Sequence, residues 1–358
     1  MTWAPHQLRP RRSVVLRKLR MTWVDGALRA GTSSRADGNA LPFSHMAVRL
    51  HHAGMRWLLF ALLCFARLVM AGLEDYPEYL RVDEARSRGG IRVTYLGVNG
   101  YQFECAGHAL LVDPYFSRLG AGTFLLDRPV APDPGRIVEG MKHVRPRVDA
   151  VLVTHAHIDH LLDVPPILRS TGARLVAGPT AVNQARSLGI PAAQCRPVSG
   201  GEVRRIGPWK IQVFAAAHDR LFGAVPIRGS RPRVGAPPEK ASDWVVGETL
   251  AFLIEVGGRR IYLEAGGLPD SLPPEMKVDL AILGVALPDA RQHFVPALHR
   301  LRPDFILPSH QDDFFQPFER GFIFGKGTDF PDVLRRWQGA GRPGQLILLD
   351  YFRPWTLR

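Results

Sequence analysis

The sequence has few cysteines and no long apolar segment, and both shortages narrow the classes of protein that it can encode. Its 358 residues include three cysteines, and none of them forms a Cys-x-x-Cys pair. This excludes a zinc finger, because such sites draw their thiolates from closely spaced pairs. Cys105 and Cys195 fit two separate buried thiols better than a disulfide, which would need an oxidising compartment. An apolar run at residues 57–66 is only ten residues long, whereas an ordinary membrane-spanning helix needs about 20 apolar residues.

Acidic residues are scarce at the start of the chain, where most of the positive charge lies. The net charge is +13, and residues 1–72 supply +9 of it through eleven Lys or Arg residues against two acidic ones. The remaining residues therefore carry only +4. Because binding to nucleic acid needs many basic contacts clustered on one face, the rest of the chain is not predicted to bind DNA or RNA.

The apolar run at residues 57–66 has the features of a secretory signal peptide. Arginines and histidines precede it, and Val69-Met-Ala71 follows it with small residues suited to cleavage after Ala71. This interpretation predicts an exported protein, either periplasmic or secreted. The same residues also allow an uncleaved anchor, with membrane contact through residues 55–71, or a buried helix of a cytosolic protein.

The chain is predicted to divide into four segments. If translation starts at Met46 or Met55, residues 1–45 are a basic extension without a fold of its own. The other segments are residues 46–71 as a signal peptide or membrane anchor, 72–90 as a linker and 91–358 as one folded domain.

The folded domain shows short β-rich segments separated by glycine-rich turns. Period and turn signals predict strands at residues 91–96, 101–105, 109–113, 148–153, 174–177, 210–215, 249–256, 259–263, 280–283, 305–307 and 345–349. They predict helices at residues 161–170 and 180–188, and loops at 131–147 and 223–240. Two sets of antiparallel strands with interspersed helices favour two sheets packed face to face between helical layers.

The segment that carries chemistry reads HAHIDH at residues 155–160, directly after a predicted strand. Three imidazoles and a carboxylate within six residues, on the turn that leaves a strand, converge on a small volume. Neutral imidazole nitrogens and carboxylate oxygens are among the ligands that zinc prefers. Histidines can also decorate a solvated loop, but four ligand-type residues at this spacing favour a metal site.

This segment resembles the HxHxDH signature of the metallo-β-lactamase superfamily, and the likeness extends over roughly residues 91–355. The resemblance implies an α/β (α+β) fold with four layers, αβ/βα, in which two mixed β-sheets are flanked by helices. It also implies two adjacent metal sites. The implied ligands lie in the signature or close a later strand: His155, His157 and His218 for the first metal, and Asp159, His160 and His310 for the second.

The resemblance also implies residues that stand behind the ligands. Asp113, in the segment Leu-Val-Asp-Pro, matches an early aspartate of the family at a strand end. It is expected to accept a hydrogen bond from a ligand histidine and so fix the tautomer and ring angle. Thr154, immediately before the signature, is assigned the same supporting role, whereas an ordinary Asp-Pro turn is the alternative for Asp113.

One departure from the family concerns the aspartate that commonly bridges the two metals. The equivalent segment has Ala265, Gly266 and Gly267 where that aspartate would fall. Glu264 or Asp270 are candidate substitutes, although the spacing favours neither. Because a bridging carboxylate supplies negative charge to both cations, its loss predicts one firmly bound Zn²⁺ and a weaker second ion, with Mn²⁺ and Fe²⁺ as alternatives.

The predicted function is that of a metal-dependent hydrolase. Zinc with an open coordination position lowers the pKa of water from about 15.7 to about 7, which provides a nucleophile for a small-molecule ester, lactone or phosphodiester. Asp159 is the candidate catalytic residue that orients the water or moves a proton. The basic residues of the 223–240 loop favour an anionic substrate, or else a solvated loop: Arg228, Arg231, Arg233 and Lys240.

Two other classes of function remain open on the sequence. A metal-binding protein of the same fold with weak or no catalysis is the main alternative, since the bridging aspartate is missing. A flavodiiron-type redox enzyme is disfavoured, because no flavin-binding motif accompanies the metal ligands. Within the superfamily the motifs resemble the lactonase-like and phosphodiesterase-like members, which is an analogy about substrate and not a derivation.

Overall fold

A computed structural model describes residues 71–83 and 89–358 of the chain. All of them belong to one compact unit, Cys64–Arg358. The predicted extension at residues 1–45 lies outside the described residues, as does the predicted signal at 46–71 except for Ala71, so both stay predictions. None of the helices in the described ranges combines the length and the apolar character needed to cross a membrane.

Fourteen strands of the described chain form two seven-stranded sheets. Their bounds are β1 (Ile91–Gly97), β2 (Gly100–Cys105), β3 (His108–Val112), β4 (Ala150–Val153), β5 (Arg174–Ala177), β6 (Cys195–Pro197), β7 (Val203–Ile206), β8 (Trp209–Ala215), β9 (Leu250–Val256), β10 (Arg259–Leu263), β11 (Leu280–Gly284), β12 (Phe305–Ser309), β13 (Gln345–Leu346) and β14 (Pro354–Leu357). The first sheet has the order β14-β1-β2-β3-β4-β5-β6, and the second has the order β13-β12-β11-β10-β9-β8-β7.

Both sheets are mixed. In the first, β14, β1, β2 and β3 pair antiparallel, whereas β3, β4, β5 and β6 run parallel. In the second, β7 to β10 pair antiparallel and β10 to β13 run parallel. As β8 and β10 are both antiparallel to β9, strands β8, β10, β11 and β12 share one direction. Their carboxyl ends therefore lie along the same edge of the second sheet.

Seven α-helices of the described residues cover the sheets or their edges. Their bounds are α1 (Ala121–Leu125), α2 (Pro134–Met141), α3 (Ile158–Leu161), α4 (Val164–Thr171), α5 (Pro179–Ser187), α6 (Pro288–Leu301) and α7 (Phe330–Gly339). Short 3-10 helices occupy Leu73–Asp75, Ala192–Gln194, Ala241–Asp243 and Phe318–Arg320.

Successive side chains of a strand point to opposite faces of a sheet, so apolar residues along the strands pack in two separate cores and produce the layers. Leu110 and Leu152 belong to the core shared with the second sheet, where Phe252 and Ile254 also lie. Leu111, one position on from Leu110, instead packs in a second core with residues of α4 and α5. The first sheet is thus covered by the second sheet on one face and by helices on the other. The predicted four-layer fold of two mixed sheets is confirmed.

Predictions of individual helices fail where a proline interrupts the apolar pattern or where the helix is short. The predicted loop at residues 131–147 is wrong over α2, whose start is fixed by Asp133, the carboxylate of which accepts a hydrogen bond from the Arg136 backbone N–H at 3.1 Å. The predicted helix at 161–170 is divided, because Pro165 and Pro166 lack an N–H group and so belong in the first turn of α4. Helices α6 and α7 are not predicted from the sequence at all.

Other parts of the pattern agree with the structure. Residues 223–240 contain no helix and no strand, as the predicted loop requires. Cys105 and Cys195 are both free thiols, and the latter is buried. Part of the predicted linker packs on the sandwich, since Leu73 is buried in the main core and the Leu348 N–H donates to the Tyr79 carbonyl at 2.9 Å.

Candidate metal centre

The candidate ligands and their supporting residue Asp113 lie at the carboxyl ends of four strands, two from each sheet. In the first sheet, Asp113 directly follows β3, and the HAHIDH segment follows the parallel neighbour β4. In the second sheet, His218 follows β8 and His310 follows β12. The shared direction of β8 and β12 brings these two histidines to the same edge, where His218 meets His155, 63 positions earlier, and His310 meets Asp159, 151 positions earlier.

The first cluster of ligand atoms consists of His155, His157 and His218, whose ligand atoms lie within 4.8 Å of one another. His155 Nε2 lies 3.0 Å from His157 Nδ1 and 3.2 Å from His218 Nε2. A tetrahedral zinc ion with Zn–N bonds of about 2.0–2.1 Å would place its nitrogen ligands about 3.3–3.4 Å apart. The observed spacing is close to that value, so the cluster has the dimensions of a metal site.

Each imidazole of this cluster has its proton held on the outer side. His157 Nε2 donates to the Pro226 carbonyl at 3.1 Å, because a carbonyl can only accept. His218 Nδ1 donates to Asp219, with the backbone oxygen at 2.7 Å and carboxylate Oδ1 at 3.0 Å. His155 Nδ1 lies 3.2 Å from the hydroxyl oxygen of Thr154, which gives its own proton to Asp113 and can accept one.

The lone pair of His155 Nε2 therefore faces His157 Nδ1 across 3.0 Å and His218 Nε2 across 3.2 Å, with no proton between them. Lone pairs in that arrangement repel, and a cation at their centre removes the repulsion. Burial, followed by the neighbouring imidazoles, lowers the pKa of His155 well below its usual value, and burial lowers that of His157 to about 3. Both rings are neutral near pH 7, which is the state that ligates a metal. The first cluster fits a divalent ion.

The second cluster consists of Asp159, His160 and His310. Asp159 Oδ2 lies 3.1 Å from His310 Nε2 and 3.4 Å from His160 Nε2, and the latter atom is buried without a hydrogen-bond partner. Burial by itself would raise the pKa of Asp159, but the charge of His160 and the hydrogen bond with His310 lower it well below its usual range. Asp159 is therefore ionised and offers a carboxylate to a cation.

His160 differs from the histidines of the first cluster in the direction of its pKa shift. Burial lowers its pKa, but the negative charges of Asp159 and Asp113 outweigh burial and raise it to about 10. Without a metal this imidazole is protonated on both nitrogens at neutral pH, and a metal ion would have to displace the proton on Nε2. The second cluster also has the ligand types of a divalent ion site, and the weaker second ion stays a prediction.

Asp113 stands directly behind His160. Its Oδ2 accepts from His160 Nδ1 at 2.8 Å, from the Thr154 hydroxyl at 2.5 Å and from Asn99 Nδ2 at 2.9 Å, while Oδ1 accepts from the Thr154 N–H at 2.8 Å. These bonds fix which nitrogen of His160 faces the ligand cluster. The contact expected of Asp113 is present, and Thr154 links it to His155. Asn99 is a further support that the sequence did not reveal.

Neither proposed substitute for the bridging carboxylate lies with the ligand clusters of the described residues. The Glu264 carboxylate is buried and accepts from the backbone N–H groups of Gly266, of Gly267 at 2.6 Å and of Gly284 at 3.1 Å. Burial raises its pKa to about 7. Asp270 is exposed. Glu264 thus braces the turn at Gly266 and Gly267 instead of facing a metal.

Asp219 is the acidic residue that the structure adds to the site. It is buried, and a Cβ atom on Gly266 would lie 3.0 Å from its carboxylate carbon. A Cβ atom on Gly267 would lie 1.8 Å from the Ala217 carbonyl oxygen, so the turn has no room for an aspartate there. Asp219 places its negative charge behind His218 as Asp113 does behind His160. Its position next to His218 in the sequence was the signal that could have revealed it.

Replacing Asp219 with asparagine is expected to weaken metal binding at the first cluster by about tenfold or more, since carboxylates behind ligand histidines contribute about 10–100-fold in affinity. Competition with a chromogenic chelator measures this change. Asp270→Asn removes the same charge from an exposed position and is expected to leave the affinity unaltered. Equal affinity in Asp219→Asn and the unmodified chain would show that the carboxylate does not act on the metal.

Comparison with known proteins identifies the family of this chain. Residues 108–305, more than half of the chain, match the family model of the β-lactamase superfamily domain. A UPF0173 metal-dependent hydrolase of Aeropyrum pernix is 37% identical over 62% of this chain and 83% of its own length. A protein of the same name from Rubrobacter xylanophilus is 34% identical over 36% of this chain, and the match spans 47% of that relative's length.

The solved structures show the same fold. Igni18, described as a metallo hydrolase of Ignicoccus hospitalis, covers 75% of this chain with 99% of its own, at a TM-score of 0.52 and 16% identity. At 16% identity this structure shows the shared fold only, whereas the match to the family model shows the family. The chain therefore belongs to the metallo-β-lactamase superfamily of metal-dependent hydrolases, as its HAHIDH segment predicts.

Proposed function

We propose that this protein hydrolyses a small-molecule ester, lactone or phosphodiester with a metal-activated water. The observation that carries the proposal is the convergence of three ring nitrogens, of His155, His157 and His218, within 4.8 Å of one another, beside a second cluster with an ionised carboxylate. The names of the relatives from Aeropyrum pernix and Rubrobacter xylanophilus support hydrolysis. Zn²⁺ is the proposed ion, bound firmly at the first cluster and weakly at the second.

Such an ion supplies Lewis acidity and makes water a nucleophile near pH 7. The chain's own residues hold and orient the reacting groups. Asp159 is proposed to accept a hydrogen bond from the attacking water, since its pKa lies well below the usual range and it holds a proton poorly. Asp113 and Asp219 fix the histidine rings from outside and take no direct part in the reaction.

A cleft beside His218 is the proposed entrance for the substrate. Gly266, Gly267 and His293 line it together with Arg220. Both glycines are buried, and an added Cβ atom would meet Asp219 at Gly266 or the Ala217 carbonyl at Gly267. Within the basic loop, Lys240 pairs with Asp127 at 2.7 Å, whereas Arg231 donates to the carbonyls of Ala236 and Asp243 and keeps its charge.

Metal binding with little or no catalysis is the second candidate function. The observation in its favour is the turn at Gly266 and Gly267, which provides no carboxylate between the two clusters and has no room for one. A single firmly held ion with a weak neighbour would suit a binding protein. The two functions differ in turnover and not in metal content.

Elemental analysis of the full chain, combined with hydrolysis assays, tests the proposal. We expect at least one ion per chain, together with turnover of a bis-aryl phosphodiester or a simple lactone that is lost after chelation and restored by zinc or manganese. Stoichiometric metal without turnover of either substrate would favour the binding function. A folded chain that takes up no metal would contradict both functions.

A further inference from the structure

A group of apolar residues extends from the second cluster to the protein surface. The Phe314 ring meets the His310 ring edge-on, with ring centroids 5.8 Å apart. Phe124, from α1, packs edge-on against Phe314 at 5.9 Å and against Phe315 at 5.3 Å. The next two residues after Phe124 are Leu125 and Leu126. We call these five residues the apolar flank.

The apolar flank remains open to solvent at its outer end. Leu125 is 42% exposed and Leu126 is 62% exposed, and α1 has no buried residue at all. A surface helix ordinarily turns its apolar residues towards the core. The two exposed leucines adjoin Phe124 and so continue the row of rings that begins at His310, and contiguous exposed apolar groups are typical of a binding surface.

Polar contacts hold α1 in this open position. Asp127, which follows Leu126, accepts from the Ser242 N–H at 2.8 Å, from the Ser242 hydroxyl at 2.9 Å and from Lys240 Nζ at 2.7 Å. The Val130 N–H also donates to the Glu239 carbonyl at 2.9 Å. The segment is thus fixed by hydrogen bonds after its helix, while its leucines remain uncovered.

We propose that the apolar flank binds the apolar part of the substrate, an alkyl or acyl chain, while the ester or phosphoryl group lies at the metal centre. This inference rests on the proposed function, and it adds the class of substrate. The ring contact between Phe314 and His310 supports this occupant, because an alkyl chain on the flank would lead directly to a group held at the second cluster. A macromolecule bound over the same residues would instead cover the site.

Binding of n-alkylphosphonates to the zinc-loaded full chain tests the proposal without turnover. Ethyl, butyl, hexyl and octyl compounds share one head group, so their affinities differ only through the chain. Calorimetric titration is expected to show affinity rising about twofold to fourfold per methylene group, the upper value being equivalent to about 0.8 kcal/mol.

The double variant Leu125→Ser with Leu126→Ser is expected to reduce this dependence on chain length to below about 1.5-fold per methylene group, with ethylphosphonate affinity unchanged. Both leucines are exposed, so the substitutions leave the core intact. Val138→Ser is the matched control, because Val138 is 60% exposed on another helix. We expect it to keep the dependence of the unmodified chain.

Several outcomes would overturn the inference. One is that octylphosphonate binds no more tightly than ethylphosphonate, or that neither compound binds. Another is that the double variant keeps the chain-length dependence of the unmodified chain. Capture of the metal-free protein by phosphatidylcholine vesicles, lost in the double variant, would identify a membrane-docking surface instead. A normal chain-length dependence without any hydrolysis would remove the proposed function and leave the apolar flank in place, whereas hydrolysis without the dependence would do the reverse.

Discussion

Replacing His157 with alanine is expected to empty the first cluster of metal and to lower turnover more than about 100-fold. Residues behind metal ligands already contribute about 10–100-fold in affinity, and the loss of a ligand removes a bond to the ion itself. His157 is well placed for this test. It precedes α3 as the N-cap residue without a side-chain capping bond, so alanine leaves the start of the helix intact. Metal content per chain and hydrolysis by the same preparation measure the effect.

Two further variants show whether the effect of His157→Ala is specific to the first cluster or would follow the loss of any histidine. His299→Ala removes an exposed histidine of α6 and is expected to change neither metal content nor turnover. His310→Ala is expected to release only the more weakly bound ion, because the first cluster does not include it. Full metal content in His157→Ala would show that the ion lies elsewhere. Equal loss of both ions in His157→Ala and His310→Ala would show that the two clusters form one inseparable site.

The clustering of the candidate ligand histidines could be predicted because most of their signals are local. Four of the six candidate ligands lie within six residues after β4, and His218 and His310 each close an apolar strand. The order of strands that brings β8 and β12 to one edge is not written in any short segment. It depends on pairing between distant strands, so the sequence alone predicted the two groups of ligands only through the family resemblance.

The lack of room for a side chain at Gly267 could not be predicted, because it depends on a contact between distant segments. The clash that excludes a side chain at Gly267 involves the Ala217 carbonyl, about 50 residues earlier. Helix α6 is concealed for a different reason, since Pro296 lies inside it and interrupts the expected pattern. By contrast, Asp133 before Pro134 was a local start signal for α2 that the sequence did contain.

Replacing Asp312 with asparagine is expected to lower the free energy of unfolding by about 3–5 kcal/mol. Asp312 Oδ2 lies 2.6 Å from Arg118 NH2, and both side chains are completely buried. Burial would raise the pKa of Asp312, but the charge of Arg118 lowers it below its usual value. The amide would leave the guanidinium buried without a counter-charge, which costs about this much in buried pairs.

This ion pair also fixes the segment that carries His310. Asp312 Oδ1 accepts from the Val98 N–H at 2.9 Å, and the Val98 carbonyl accepts from the His310 N–H at 2.8 Å. Val98 and His310 both have positive φ angles, of 56° and 53°, a conformation that side chains other than glycine adopt only when their surroundings impose it. Loss of the pair should therefore weaken metal binding at the second cluster more than at the first.

Urea denaturation of the metal-free chain measures the stability without a contribution from bound ions. Glu139→Gln is the matched control, because Glu139 pairs with Lys142 at 2.7 Å on the exposed surface and such pairs contribute about 0–1 kcal/mol. A loss below about 1 kcal/mol in Asp312→Asn would contradict the prediction. The double variant Arg118→Met with Asp312→Leu separates the effect of charge from that of packing. If the unpaired guanidinium causes the loss of stability in Asp312→Asn, removing both charges restores much of that stability. If the packing of the side chains alone matters, the double variant is less stable than Asp312→Asn.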